Sequence, residues 1–275
     1  MLVAFIQNIS NRRVRRKPMN SAAGVLCYLI LLLFTGSNGS AAAFTSRQRA
    51  QEANPDKEIV NYDSGGENIR AFLAMPQGEG NHPAVIVIHD NQGLNDGIRQ
   101  VARQLATAGF VAMVPDLVSR AGGTKTPRQA EGVLASLSPE QSVDDLRAGF
   151  AFLEKYPGVD TSKISSIGFG WGGWRSFKLA ATLPKLYHAV VFYGATPVDG
   201  LENVHASVLA NYAQYDFFDT GNSIWTEDTM KQFGGKFLYY IYPKTFRGFF
   251  STDGPYYDAE AAKLAWSRTL EFLHS

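Results

Sequence analysis

From residue 58 onward, short runs rich in β-branched and aromatic residues alternate with segments whose apolar positions recur every three to four residues. The runs 58–63, 69–75, 84–89, 110–115, 163–168, 188–193, 206–212 and 237–242 predict eight strands. Between them, Ile98, Val101, Ala102 and Leu105 trace one face of a helix over 97–108. Val143, Leu146, Phe150 and Leu153 do the same over 139–155, and Ala262, Leu264, Ala265, Leu270, Phe272 and Leu273 over 259–273. Such alternation predicts an α/β domain, with a mostly parallel sheet covered by helices on both faces. The runs 84–89 and 188–193 are apolar almost throughout, as buried central strands are. No helix separates the first two strands, so they are expected to pair as an antiparallel hairpin at the sheet edge. The Gly-Gly-Thr-Lys-Thr-Pro stretch at 122–127 reads as a mobile loop.

The first 43 residues follow a different pattern. Arg12, Arg13, Arg15, Arg16 and Lys17 precede an apolar run from Ala22 to Phe34, and small and polar residues then lead to Ala41-Ala42-Ala43. That order is the one an export signal has, with cleavage expected after Ala43. Thirteen apolar residues make a helix of about 20 Å, short of a hydrocarbon core of roughly 30 Å, which disfavours a permanent anchor. The chain is therefore divided into a signal at 1–43, a linker at 44–57 and one domain at 58–275, with the mature protein expected outside the cytoplasm and off the membrane.

Charge and cysteine usage narrow the chemistry. The signal holds five of the 26 Lys and Arg and none of the acids, leaving 21 bases against 25 acids in the rest. An acidic balance without a basic cluster argues against nucleic-acid binding. The single cysteine, Cys27, lies inside the signal, so the domain has no disulfide, no cysteine zinc site and no cysteine nucleophile. No cofactor or metal is implied.

Gly168-Phe169-Gly170-Trp171-Gly172-Gly173 follows the strand ending near Ile167 and opens a helix over 173–183. Its spacing is formally that of a dinucleotide fingerprint. That reading needs an acid at the tip of the next strand, and the strand His188–Tyr193 ends without one. The alternative is a nucleophile elbow, a tight strand-to-helix turn with glycines on either side of an apex residue. The apex here is Gly170, which has no side chain.

Several stretches, in order along the chain, carry a resemblance. They are Val87–Asn95, Val101–Ala106 with Ala108–Phe110, Pro115–Leu117, the glycine turn, Phe192–Gly194 and Tyr242–Phe249, followed by Tyr257-Asp258 and Ala261–Trp266. Together they make residues 58–274 similar to the dienelactone hydrolase family of α/β-hydrolases, especially its exported members. The resemblance implies an α/β-hydrolase fold and hydrolysis of lactone or ester bonds by a Cys (or Ser), an Asp and a His. Carried over by position, the acid falls on Asp216, the nucleophile on Gly170 and the histidine on Arg247. The family's oxyanion hole would be the backbone N–H groups of Trp171 and Asn91. The strand-end pair of the pocket would be His89 and Asp90, where the family usually has Glu at the second position.

Two of the three catalytic roles are thus missing. Gly170 supplies no attacking atom, and a guanidinium stays protonated and cannot act as base. Asp216 and Arg247 are expected to form an ion pair in place of the old acid–base dyad. The function expected is a catalytically degenerate family member. The alternatives are slow hydrolysis by a water activated at Asp90 or Asp216, and binding of an ester, lactone or carboxylate through the amides and Arg247. His89 also has a plainer reading, a strand-end histidine satisfied by its neighbours. Phe169, Trp171, Trp174, Phe217, Phe218, Phe246, Phe249 and Phe250 are expected to build core and cleft wall around the site.

Overall fold

A computed structural model describes residues 59–123 and 126–275. The signal and linker expected over 1–57 lie outside the described residues. β1 (Ile59–Ser64), β2 (Glu67–Ala74), β3 (His82–Ile88), β4 (Val111–Pro115), β5 (Val159–Phe169), β6 (His188–Phe192), β7 (Ser207–Ala213) and β8 (Phe237–Tyr242) match the eight expected strands. They form one sheet in the order β1-β2-β4-β3-β5-β6-β7-β8. β1 pairs antiparallel with β2, and β2 antiparallel with β4, giving the expected edge hairpin. Every other pairing is parallel.

Seven α-helices accompany the sheet among the described residues: α1 (Asp96–Thr107), α2 (Pro127–Ser136), α3 (Pro139–Leu153), α4 (Trp171–Thr182), α5 (Phe217–Gly221), α6 (Ser223–Gln232) and α7 (Ala259–Leu273). Their starts are set by local chemistry. The Asn95 side chain accepts from the Ile98 N–H, Ser138 and Gln141 form a reciprocal capping box, and Asp258 accepts from the Ala261 N–H. α2 was not expected. It begins at Pro127, where the loop reading ended, and buries only Ala130 and Leu134, too few positions to show a period. α6 was missed for a related reason: its buried positions are Ser223, Thr226 and Met230.

Alternate residues of β3 feed two cores. Ala84, Ile86 and Ile88 face α3 and α4, with Leu146, Phe150 and Phe177, whereas Val85 and Val87 face α1 and α7, with Val101, Leu105 and Ala265. Each fully buried Ile, Val, Leu or Phe of these layers contributes about 1.5–3 kcal/mol, which anchors the central strands. Because β3, β5, β6, β7 and β8 run parallel, their C-terminal ends meet at one edge of the sheet. The loops that follow them carry Asp90, Gly170, Tyr193, Asp216 and Arg247. Open parallel sheets present ligand sites at that edge.

Candidate active site

Gly170 joins β5 to α4 with φ 51° and ψ −107°. This is a conformation that costs a residue with a side chain about 1–3 kcal/mol. A side chain at Gly168 would strike the Gly172 carbonyl, and one at Gly172 would strike the carbonyls of Ile88 and His89. The flanking glycines are therefore required by close backbone approach, and the strained elbow persists although its apex carries no nucleophile.

The space over Gly170 is occupied. A Cβ built there would lie 2.5 Å from both carboxylate oxygens of Asp90. Asp90 reaches this point from the loop after β3, and its Oδ1 accepts from the Asn91 N–H at 2.7 Å and the Trp171 N–H at 2.9 Å. Trp171 opens the 12-residue helix α4, whose positive end also favours an anion. The two amides expected to form an oxyanion hole do converge on one oxygen atom, but that atom belongs to Asp90. Their use by an external carbonyl or carboxylate, expected from the sequence, is blocked in this arrangement by the protein's own carboxylate.

His89 holds Asp90 from below. Its Nε2 accepts from the Leu117 N–H at 3.3 Å, so Nδ1 carries the proton and donates to the Asp90 carbonyl at 2.8 Å. Burial pushes the imidazole pKa down, outweighing the hydrogen bond to Asp90 and the carboxylates of Asp116 and Asp90. The ring is fully buried and stacks on Trp171 with centroids 6.0 Å apart. It lines neither cavity of the site. The placement of His89 in the pocket is thus corrected: its Nε2 ties the β3 end to the β4 end at Leu117, and its Nδ1 is spent on the Asp90 carbonyl.

Arg247 and Asp216 form the expected ion pair, Nη1 to Oδ2 at 3.4 Å. The same Nη1 also bonds Asp219 Oδ2, a closer partner that the sequence reading missed. Asp216 caps α5, with its Oδ1 accepting from the Asp219 N–H at 3.4 Å, so the short helix brings a second carboxylate to the guanidinium. Burial raises the Asp219 pKa, and the nearby Asp216 charge adds to this, while Arg247 opposes both. The i, i+3 spacing of the two acids was the available signal, but it becomes informative only if 217–221 is helical.

Two hollows meet at these residues. A cavity of about 360 Å³ runs between α1, α7 and the loop after β8, walled by Phe169, Tyr193, Phe250, Tyr256 and Trp266. An outer cleft of about 430 Å³ is bounded by Asp90, Asn91, Trp171, Arg247 and Gly248. Asp90, Arg247 and Gly248 border both. Tyr193, within the Phe192–Gly194 stretch, borders the cavity. It has φ 39°, is 2% exposed, and its hydroxyl has no hydrogen-bond partner among the described residues. Of the expected aromatic wall, Phe169 and Phe250 line the cavity and Trp171 the cleft. Phe249 is core, whereas Phe217 is largely exposed. Ser166 and Ser176 are buried and bonded to each other at 2.8 Å, away from the apex.

Residues 69–275 match the dienelactone hydrolase family. A curated protein of Saccharolobus solfataricus, provisionally named carboxymethylenebutenolidase, is 31% identical over 79% of this chain and 98% of its own length. A relative of the same provisional name from Escherichia coli K12 is 30% identical over 87% of this chain and 96% of its own. Among solved structures, a provisionally named dienelactone hydrolase of Klebsiella pneumoniae superposes with a TM-score of 0.71 at 25% identity, covering 79% of this chain and 97% of that one.

Proposed function

The chain belongs to the dienelactone hydrolase family, and from that premise we propose that it is a member without the covalent step, binding a small molecule in the cavity without forming an acyl-enzyme. One observation carries this reading: the Asp90 carboxylate stands where a nucleophile side chain would stand and accepts both amides that would hold an oxyanion. Loss of a single oxyanion donor costs an enzyme of this type about 10²–10³ in rate. Here both donors are engaged, the apex is glycine, and the base position holds an arginine bound by two acids.

A second reading, slow hydrolysis by an activated water, is favoured only at Asp90, which borders both hollows. Asp216 is engaged by Arg247 and by the Asp219 N–H. Stopped-flow measurement with an activated aryl ester separates the readings. The proposal expects no burst of released phenol and no steady hydrolysis above the Asp90→Asn variant. A burst would refute the proposal. Steady turnover lost in Asp90→Asn would establish the second reading.

We also propose that residues 1–43 direct export and are removed. Among the described residues no helix is long and apolar enough to cross a membrane. N-terminal sequencing of exported material should find Phe44 or a neighbour, and an uncleaved cytosolic chain would refute this.

A further inference from the structure

The chemistry expected of this fold places backbone N–H groups against developing negative charge. In this chain those donors already face a carboxylate, so the charge that the site offers a ligand is reversed. Asp90 Oδ1 is taken by the Asn91 and Trp171 amides, while Oδ2 has no hydrogen-bond partner among the described residues. Asp90 itself borders the 360 Å³ cavity. Arg247 does not neutralise it, since its guanidinium is bound by Asp216 and Asp219 and makes no ion pair with Asp90. The charged side chains that line the cavity are thus Asp90, Lys263 and Arg247, the last held by Asp216 and Asp219 from outside the lining. The other cation in the wall, Lys263, is exposed to solvent.

Resting on the reading of this cavity as a binding pocket, we infer that its ligand is an organic cation, with an ammonium group against Asp90 and an aromatic or apolar body in the cavity. The walls suit that body and that charge. Phe169, Tyr193, Phe250, Tyr256, Tyr257 and Trp266 surround the space, and aromatic faces attract a desolvated cation. Tyr193 adds a second, independent feature. Its side chain is almost fully buried, borders the cavity, and has a hydroxyl with no hydrogen-bond partner among the described residues, whose oxygen lone pairs can accept from an ammonium N–H. Burial, together with the Asp90 charge, keeps the proton on that phenol. An anionic ligand would meet the Asp90 carboxylate with like charge.

Isothermal titration of the domain with matched probes tests this: phenylalkylammonium ions of two to four methylenes, the corresponding alcohols and the corresponding carboxylates. The ammonium should bind at least about tenfold more tightly than the alcohol, a difference of about 1.4 kcal/mol, and the carboxylate most weakly. Asp90→Asn should abolish the preference by lowering ammonium affinity at least about tenfold, with its melting temperature showing that the variant is folded. Equal binding of the three classes, or preference for the carboxylate, overturns the cation assignment and leaves the binding-pocket reading standing. If no probe binds at about 10 mM, a level weaker than any useful site, both fail. Preference retained in Asp90→Asn would place the cation elsewhere and also overturn the inference.

Discussion

Replacing Gly170 by alanine should expose how the Asp90 carboxylate and the elbow share one space. The new Cβ would sit 2.5 Å from both Asp90 oxygens and 2.7 Å from its Cγ, so the carboxylate must leave. Leaving breaks at least the bond from the Trp171 N–H, and a hydrogen bond to a charged group contributes about 1.5–3 kcal/mol. The backbone at φ 51° adds about 1–3 kcal/mol. Gly170→Ala should therefore destabilise by about 2.5–6 kcal/mol. In an Asp90→Ala background the bond is already gone, and only the backbone cost of about 1–3 kcal/mol remains. The two substitutions should thus show a coupling of about 1.5–3 kcal/mol, with the double variant more stable than the sum of the singles implies. Urea denaturation of the wild type, both singles and the double measures this directly, provided the m-values agree. A coupling within about 0.5 kcal/mol of zero would mean that Asp90 does not occupy the space above Gly170. The structural basis for the proposed function would then be lost.

In Gly170→Cys/Arg247→His the new Cβ displaces the Asp90 carboxylate from above the elbow, but its negative charge stays beside the thiol and disfavours the thiolate, so adding Asp90→Ala should enlarge the acyl-enzyme burst. A burst from Gly170→Cys/Arg247→His that Asp90→Ala leaves unchanged would contradict that view. Activity and melting temperature should be read together, since nucleophile and base act as a unit and the elbow is strained. The buried His89 predicts a pH effect on stability. Its folded pKa lies below the ordinary 6.5, so below pH 6.5 the unfolded chain binds the extra proton and stability falls as pH drops toward the folded pKa. The contribution is at most about 1.4 kcal/mol per pH unit. His89→Gln should lower stability near neutral pH but flatten this acid-side slope, and equal slopes in both proteins by thermal unfolding would refute the assignment.

Much of this molecule was legible along the chain. The eight strands, the edge hairpin and three long helices could be read because burial imposes a period on nearby residues, and that period survives in β3 as Ala-Val-Ile-Val-Ile and in α1 as Ile98, Val101, Ala102 and Leu105. The glycine turn was legible too, since only glycine tolerates the contacts at 168 and 172. So was the pairing of Asp216 with Arg247, which the family resemblance implies by placing them at its acid and histidine positions. α2 and α6 were not legible, because a helix that buries Ser, Thr or Ala shows no hydrophobic stripe. The site's character belongs to tertiary structure alone. Asp90 and Trp171 are 81 positions apart, and nothing in either neighbourhood says that a carboxylate from one loop will fill the hole formed at another. Asp219 joins Arg247 only through the α5 turn, and Tyr193 faces the cavity only through the backbone at φ 39°. Which residues sit at strand ends is a one-dimensional property, but which atom fills the space between those ends depends on crossovers that bring distant loops within hydrogen-bonding distance, and only the folded sheet sets that distance.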